Sequence, residues 1–146
     1  MALIEDLAVA QAIASRATTY GAPSGYALRH VHATPPDNIA VVPAIVVLPE
    51  SDAMTYGASN RSTVLRFTVR LYLLPQADAS RRFQDLLTWR GHLRDMLIGS
   101  VTLGGLVHQA SVTATTLGSE VYADQDYLTV DLAVEVAKVE AIGAVA

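Results

Sequence analysis

The sequence predicts a single α+β domain built around a largely antiparallel sheet. Residues 63–74 and 127–139 alternate apolar and polar side chains with the period of a strand. Residues 3–16 and 79–98 instead carry apolar side chains at helical spacing. Hairpin-like connections favour antiparallel pairing, so we expect an N-terminal helix and one long central helix packed on the sheet. The length of 146 residues suits one domain, 1–146.

The first half of the chain begins with the helix at 3–16. Glu5 and Asp6 lie in its first turn, where acidic side chains oppose the helix dipole. A short strand is expected at 26–32. The apolar run 41–48 reads as a further strand, and Pro43 within it favours an edge position because proline lacks an N–H.

Residues 50–62, ESDAMTYGASNRS, show neither the alternation of a strand nor the spacing of a helix, and they are predicted to form an extended loop. Unstructured loops of about 12 residues or more are uncommon and are often functional. We therefore interpret this segment as an assembly loop that becomes ordered on a partner. Its candidate contact residues are Met54, Tyr56, Asn60 and Arg61.

The strand at 63–74 has two different faces. The apolar face, predicted to lie in the core, consists of Leu65, Phe67, Val69, Leu71 and Leu73. The opposite face carries Arg66, Arg70 and Tyr72, and Arg and Tyr are enriched where proteins meet. This face is either solvated or a subunit interface.

The predicted long helix at 79–98 follows a capping residue, Asp78 or Ser80. Its apolar stripe is read as Phe83, Leu86, Leu87, Leu93 and Leu97. Trp89 lies off this stripe. It either packs against a neighbouring loop or serves as an interface anchor, a role in which tryptophan is common. Arg94 is placed toward solvent as a further candidate for the subunit interface.

The last third of the chain is predicted to hold two strands, at 106–117 and 127–139, with a polar connection at 118–125 between them. On the second strand Asp131 and Glu135 share one face, as Arg66 and Arg70 do on the earlier strand. If the two strands pair with matching faces, cross-strand ion pairs form. Otherwise Asp131 and Glu135 remain a free acidic face for a lumen or a neighbouring subunit. Residues 140–146 are expected to be flexible.

Composition excludes several function classes. The chain has no cysteine, which excludes disulfides, thiolate metal sites and cysteine nucleophiles. The net charge of −4 comes entirely from residues 74–146, so a sequence-specific nucleic-acid surface is not expected. The N-terminus has acidic residues where a signal peptide would be basic, and no apolar run is long enough to span a membrane.

Motifs for catalysis are missing from the sequence. No phosphate-binding glycine loop or nucleophile elbow is present. His30 and His32 share a face on a predicted strand, an arrangement that can hold a metal or simply be a pair of edge histidines. Asp124 and Asp126 lack the rest of a calcium loop. We therefore expect no enzyme activity, no cofactor and no metal.

The order of the predicted elements resembles that of the tail terminators, a family of neck and tail-completion proteins of tailed bacteriophages. The resemblance extends from about Leu3 to Val139. It rests on an N-terminal helix, an extended loop, a strand TVLRFTVRLYLL, a helix ASRRFQDLLTWRGHLRDML and a closing strand YLTVDLAVEV. No individual residue of this chain can be matched to a functional position of the family.

The resemblance implies an α+β subunit of a hexameric ring at the junction of head and tail. Such a ring caps the tail tube, offers the filled head a docking surface and lets double-stranded DNA pass. The implied partners are further copies of the chain, the tail tube protein and a head-closure or connector protein. The implied location is the virion, after assembly in the bacterial cytoplasm. Alternatives are another neck or tail component, such as a stopper or tube protein, and a cytoplasmic ligand-binding module unrelated to phage.

Overall fold

The computed structural model describes residues 3–75 and 78–142, and within these ranges the chain forms two helices and one five-stranded sheet. In chain order the elements are α1 (Asp6–Tyr20), β1 (His30–His32), β2 (Ala44–Tyr56), β3 (Asn60–Leu73), α2 (Ala79–Leu93), β4 (Gln109–Tyr122) and β5 (Gln125–Ala141). The spatial order of the strands is β1-β2-β3-β5-β4, and only β1 and β2 run parallel. The predicted α+β class with a mostly antiparallel sheet is confirmed.

Both helices pack on the same face of the sheet. The main core joins α1 and α2 to alternate residues of the strands, among them Ile45, Phe67 and Leu132. The apolar faces predicted for 63–74 and 127–139 lie in this core. A smaller cluster on the opposite face contains Tyr72 and Tyr127, with Ile39 from the loop before β2 covering them. The rest of that opposite face carries no helix within the described residues.

Helix α1 is shifted toward the C-terminus relative to the predicted 3–16. It begins at Asp6 because the preceding residues are extended, with the backbone N–H of Ile4 donating to the carboxylate of Glu140. It ends at Gly21, whose φ of 73° lies in the left-handed region that glycine tolerates best and whose N–H donates to Ala17.

Helix α2 is shorter than the predicted single long helix. It spans 15 residues, the same length as α1, and Asp78 caps it by accepting hydrogen bonds from the N–H groups of Ser80 and Arg81. Beyond Leu93 the chain continues in turns, with Met96 N–H bonded to the Leu93 carbonyl three residues back. The predicted extent to residue 98 was therefore wrong.

The largest correction concerns residues 50–62, which form a β-hairpin instead of a loop. Strand β2 continues to Tyr56 and β3 begins at Asn60, with Tyr56 paired to Arg61. The turn closes through the N–H of Gly57, which donates to Asn60 at 2.9 Å. Both faces of residues 50–56 are exposed, so their side chains show no alternation, and this part of β2 is held as a strand by its backbone pairing with β3.

The predicted polar connection at 118–125 is also mostly strand. β4 runs to Tyr122 and β5 starts at Gln125, which leaves a two-residue turn. Ala123 and Asp124 both have positive φ, 49° and 67°, as hairpins of this length require. The start of β4, predicted at 106, lies at Gln109.

At the other edge, the strand predicted at 26–32 is reduced to the three residues of β1, and Pro43 precedes β2 instead of lying within it. The missing N–H of proline explains why the strand begins at Ala44. β2 is not an edge strand over its first residues, because β1 pairs with Ala44–Val46; from there to Tyr56 its outer side has no strand partner among the described residues.

The C-terminal segment predicted to be flexible falls into two parts. Glu140 is fully buried and Ala141 pairs with Asn60, so the prediction was wrong for these residues. Residues 143–146 lie outside the described residues.

Candidate assembly surface

Four charged residues of the two long strands, Arg66, Arg70, Asp131 and Glu135, meet on the face of the sheet opposite the helices, which we call the open face. Strands β3 and β5 pair so that Arg70 lies opposite Asp131. The Arg70 Nε and Nη2 atoms donate to the two carboxylate oxygens of Asp131 at 2.7 and 2.9 Å, a bidentate geometry. Glu120 of β4 adds a longer contact of 3.8 Å to Arg70. The hydrogen bonds to Asp131 raise the pKa of Arg70 further above its already high value, despite opposition from burial.

Four residues further along the same face, Arg66 lies opposite Glu135. The shortest distance between the two charged groups is 3.7 Å, and both side chains are substantially exposed. We call Arg66, Arg70, Glu120, Asp131 and Glu135 the open-face ladder.

Of the two arrangements that the sequence left open, the cross-strand ion pairs are therefore the one that forms. Asp131 and Glu135 do not constitute a free acidic face, because each pairs with an arginine of the same chain. The ladder carries two arginines against three carboxylates, so it is close to neutral with a slight acidic excess.

Tyr72 shares the face of Arg70 but is not available for a subunit interface. Its side chain is buried under the loop before β2, where its ring lies 5.4 Å from the rings of both Tyr122 and Tyr127 in edge-to-face contact. Burial raises the pKa of Tyr72. The hydroxyl of Tyr122 donates to the Pro36 carbonyl and so fastens the loop over this cluster.

Trp89 is also buried rather than exposed, with 0% of its surface accessible. The buried stripe of α2 consists of Leu86, Trp89 and Leu93, whereas Phe83 and Leu87 face outward. The predicted stripe is confirmed for Leu86, Leu93 and Leu97, which are buried. It was wrong for Phe83 and Leu87, which also have helical spacing but lie on the outer side. Arg94, at the end of α2, is exposed as predicted.

The hairpin at 50–60 presents apolar side chains to solvent. We call residues 50–60 the arm. Met54 is 44% exposed and Tyr56 63% exposed, and the Tyr56 hydroxyl lies 3.8 Å from the Met54 sulfur. Asn60 is exposed at the tip of the arm. Three of the four residues predicted for an assembly loop are therefore accessible, although on a strand pair.

The fourth, Arg61, forms an ion pair that sequence analysis missed. Its Nε and Nη2 atoms each lie 3.1 Å from the Glu140 carboxylate, which also accepts from the Thr63 hydroxyl at 2.6 Å and from the Ile4 N–H. Burial by itself raises the pKa of Glu140, but these hydrogen bonds more than offset it and lower the pKa to about 2. The hydrogen bond to Glu140 likewise raises the pKa of Arg61.

None of the four histidines belongs to the open-face ladder. The rings of His30 and His32 are 4.1 Å apart on β1, and burial, followed by the charge of His30, lowers the pKa of His32. His92 is half-buried against Tyr20 and its Nε2 atom contacts the Gly21 carbonyl. His108 Nδ1 accepts a hydrogen bond from the backbone N–H of Val139. Across residues 3–75 and 78–142, no three His, Asp or Glu side chains converge as a metal site would require.

Neither helix within the described residues is long and apolar enough to cross a membrane. The sequence matches no model of a known protein family and no functionally curated protein.

Proposed function

We propose that this protein is a structural virion protein of a tailed bacteriophage, a tail terminator that forms a hexameric ring at the head–tail junction. In this role it caps the tail tube, binds a head-closure or connector protein and allows double-stranded DNA to pass. It has no catalytic activity. The proposal starts from the resemblance in element order described above, and it is supported by three features of the described residues.

The observation that carries the proposal is the arm. β2 and β3 are joined by a hairpin in which every residue from Glu50 to Asn60 is exposed. Met54 and Tyr56 contribute nothing to the hydrophobic core, and Met and Tyr are both enriched in the buried centres of protein interfaces. An exposed hairpin that carries such side chains is suited to contact a neighbouring subunit.

The open-face ladder supports the same role through its charge. A surface that DNA passes must not hold phosphates, and tight phosphate binding requires clustered, unpaired Lys and Arg. Arg66 and Arg70 are each neutralised by a carboxylate opposite. If the open face lines a ring, its slight acidic excess keeps DNA from adhering.

The outer surface of α2 supplies the third feature. Phe83 and Leu87 are exposed one helical turn apart, next to several arginines of the same helix. Exposed apolar side chains that lie side by side, rimmed by polar residues, are typical of contact sites when the patch they form is large. We assign this helix surface, together with Arg94, to contacts with the next subunit, and a ring requires two different patches of this kind on each subunit.

The ring is tested by negative-stain microscopy and native mass spectrometry of the purified protein. We expect six-membered rings with a central hole. The double substitution Met54→Ser and Tyr56→Ser is expected to shift the protein to monomers, because it removes the apolar contacts of the arm.

Leu7→Ser is the matched control, since Leu7 is 57% exposed on α1 and lies outside the arm. This variant should retain the rings. A protein that stays monomeric at high concentration, both alone and with tail tube protein present, contradicts the proposal.

A separate experiment tests which position the protein occupies in the tail or neck. A tail terminator should bind preformed tail tubes at their ends and stop their elongation, which electron microscopy of polymerising tube protein measures. Incorporation along the whole tube would instead indicate a tube subunit, and binding only to the connector would indicate a head-closure protein. In all three cases we expect genes for portal, capsid and tape-measure proteins to lie beside this gene.

A further inference from the structure

The two edges of the sheet differ in how well they are protected against pairing with another strand. At the β2 edge, β1 covers the first three residues, and the uncovered part carries Pro49, Glu50 and Asp52 together with a register shift. Proline, charged side chains and bulges are features that keep an edge strand from pairing with another chain. In contrast, the 14 residues of β4 include no proline and a single charged residue, Glu120.

The outer side of β4 is covered at its beginning only. There the N–H of Ala110 donates to the carbonyl of Val101, in the loop before the strand, at 2.6 Å. A bulge follows, and beyond it residues 114–122 pair regularly with β5. Among the described residues, this stretch makes no backbone hydrogen bond on its outer side. We call residues 114–122 the free edge.

The turn after β4 fixes which residues direct their backbone groups outward. Tyr122 and Gln125 flank the two-residue turn and are paired with each other. Residues in that position exchange hydrogen bonds, and from there every second residue of an antiparallel strand bonds to its partner while the others point away. The residues whose N–H and C=O groups point to the uncovered side are therefore Thr115, Leu117, Ser119 and Val121.

We propose that the free edge pairs antiparallel with the free edge of a second copy of this chain, about a two-fold axis at Gly118. All of 114–122 is paired in this register. Glu120 then lies opposite Thr116 of the second copy, so no like charges face each other. Val121, which is 65% exposed, lies opposite Thr115 of the second copy and loses part of its contact with water.

Other two-fold registers are less favourable. An axis at Glu120 would place two carboxylates directly opposite each other, which is destabilising. An axis before Gly118 would bring the bulge into the pairing, and an axis after it would leave part of the free edge unpaired. The absence of a side chain at Gly118 also allows the two strands to approach closely at the axis.

This contact is separate from the proposed ring, because it uses neither the arm nor the outer surface of α2. One pair of strands is a small interface of the kind found in weak, transient contacts. We therefore expect a dimer that cross-linking captures and that does not dominate in dilute solution.

Single cysteines can report on the pairing because the chain contains none of its own. In the proposed register, Gly118→Cys brings two cysteines opposite each other with their Cα atoms about 4.5 Å apart, within the range of about 4.4–6.8 Å that a disulfide requires. A Cβ atom at Gly118 would meet only the Thr129 hydroxyl, at 3.5 Å, so the substitution fits the chain. Thr116→Cys is the matched control, because its two cysteines would be offset by four residues, or about 13 Å.

Under mild oxidation of the full-length protein, we expect Gly118→Cys to form a disulfide-linked dimer about tenfold faster than Thr116→Cys, since paired residues experience a high effective concentration. Non-reducing gel electrophoresis measures both rates. A mixture of Thr116→Cys and Glu120→Cys chains should form the mixed dimer faster than either variant forms a dimer with itself. This mixture tests the register even if Gly118→Cys does not fold. Equal rates in either comparison would overturn the proposal.

The double substitution Met54→Ser and Tyr56→Ser separates this contact from the ring. Gly118→Cys should still form its cross-link in that background, although the arm has lost its apolar contacts. If cross-linking disappears together with the rings, then Gly118 of one copy reaches another only within the ring and the two-fold pairing is wrong. If the wild-type protein forms no rings but Gly118→Cys cross-links as expected, the two-fold pairing stands and the ring does not.

Discussion

Three ion pairs connect β3 and β5, and their surroundings differ between the Arg61 end of β3 and the Arg70 end. Arg61 with Glu140, Arg66 with Glu135, and Arg70 with Asp131 all join residues directly opposite each other. The Glu140 side chain is 0% exposed, whereas that of Glu135 is 35% exposed. Lying directly opposite each other is therefore not what sets how much an ion pair contributes to stability. We expect that contribution to depend on how far the pair is removed from water and on how many further hydrogen bonds it makes.

The sharpest test of this contrast is Glu140→Ala, for which we expect the largest loss. It leaves Arg61, the Thr63 hydroxyl and the Ile4 N–H without their shared acceptor. We expect the free energy of unfolding to fall by about 3 kcal/mol, measured by urea denaturation. If Glu140→Ala lowers the free energy of unfolding no more than the loss of an exposed ion pair does, then burial does not distinguish the Arg61–Glu140 pair from the others.

The second test uses pH. The pKa of Glu140 is about 2 in the folded protein and 4.5 when unperturbed, so its contribution is fully present above pH 4.5 and is lost as the pH falls toward 2. Wild-type stability should therefore fall more steeply than that of Glu140→Gln between pH 4.5 and pH 2. If the stabilities of the two proteins fall in parallel over this pH range, then the pH dependence does not come from Glu140.

Arg70→Ala is expected to have an intermediate effect. It removes a bidentate pair with Asp131 that is only partly exposed, along with the weaker contact to Glu120. We expect a loss of about 1 kcal/mol, from the same denaturation measurement. Asp131→Ala should give a similar value, and the double variant should lose less than the sum if the pair is the cause.

Arg66→Ala should have the smallest effect. The Arg66–Glu135 distance is 3.7 Å and both groups are well solvated, so we expect a change below about 0.5 kcal/mol. Moderate salt should abolish even this change, since solvated pairs are screened. A loss equal to that of Arg70→Ala would show that bidentate geometry is not what separates the two pairs.

The alternation of apolar and polar side chains was enough to predict the central strands. The strand residues of the arm were predicted to be a loop because they lack this alternation. Residues 127–139 alternate because one face packs on the helices. The arm at 50–60 has solvent on both faces, so its strands leave no periodic signal. Prediction from periodicity thus works where one face is buried and fails where neither is.

The candidate site was only partly predictable for the same reason. The Arg66 and Arg70 pairs were among the expected alternatives because all four side chains lie within clear alternation. Glu140 was assigned to a flexible end, yet the alternation of β5, continued by four residues past Val136, places it on the core face opposite Arg61. The position of Trp89 depended on which of two overlapping helical stripes faces the sheet, and only the packing resolves that choice.

The way in which β3 joins β5 also has a consequence for how the chain is made. β2 with β3 and β4 with β5 are hairpins closed by short local turns, but the ladder between β3 and β5 pairs residues as far apart as Asn60 and Ala141. During synthesis the first hairpin emerges with one side of β3 unpaired, and it stays so until β5 leaves the ribosome. Distant contacts of this kind form late in folding. Truncated or stalled chains that end before β5 would therefore expose a long strand edge and aggregate.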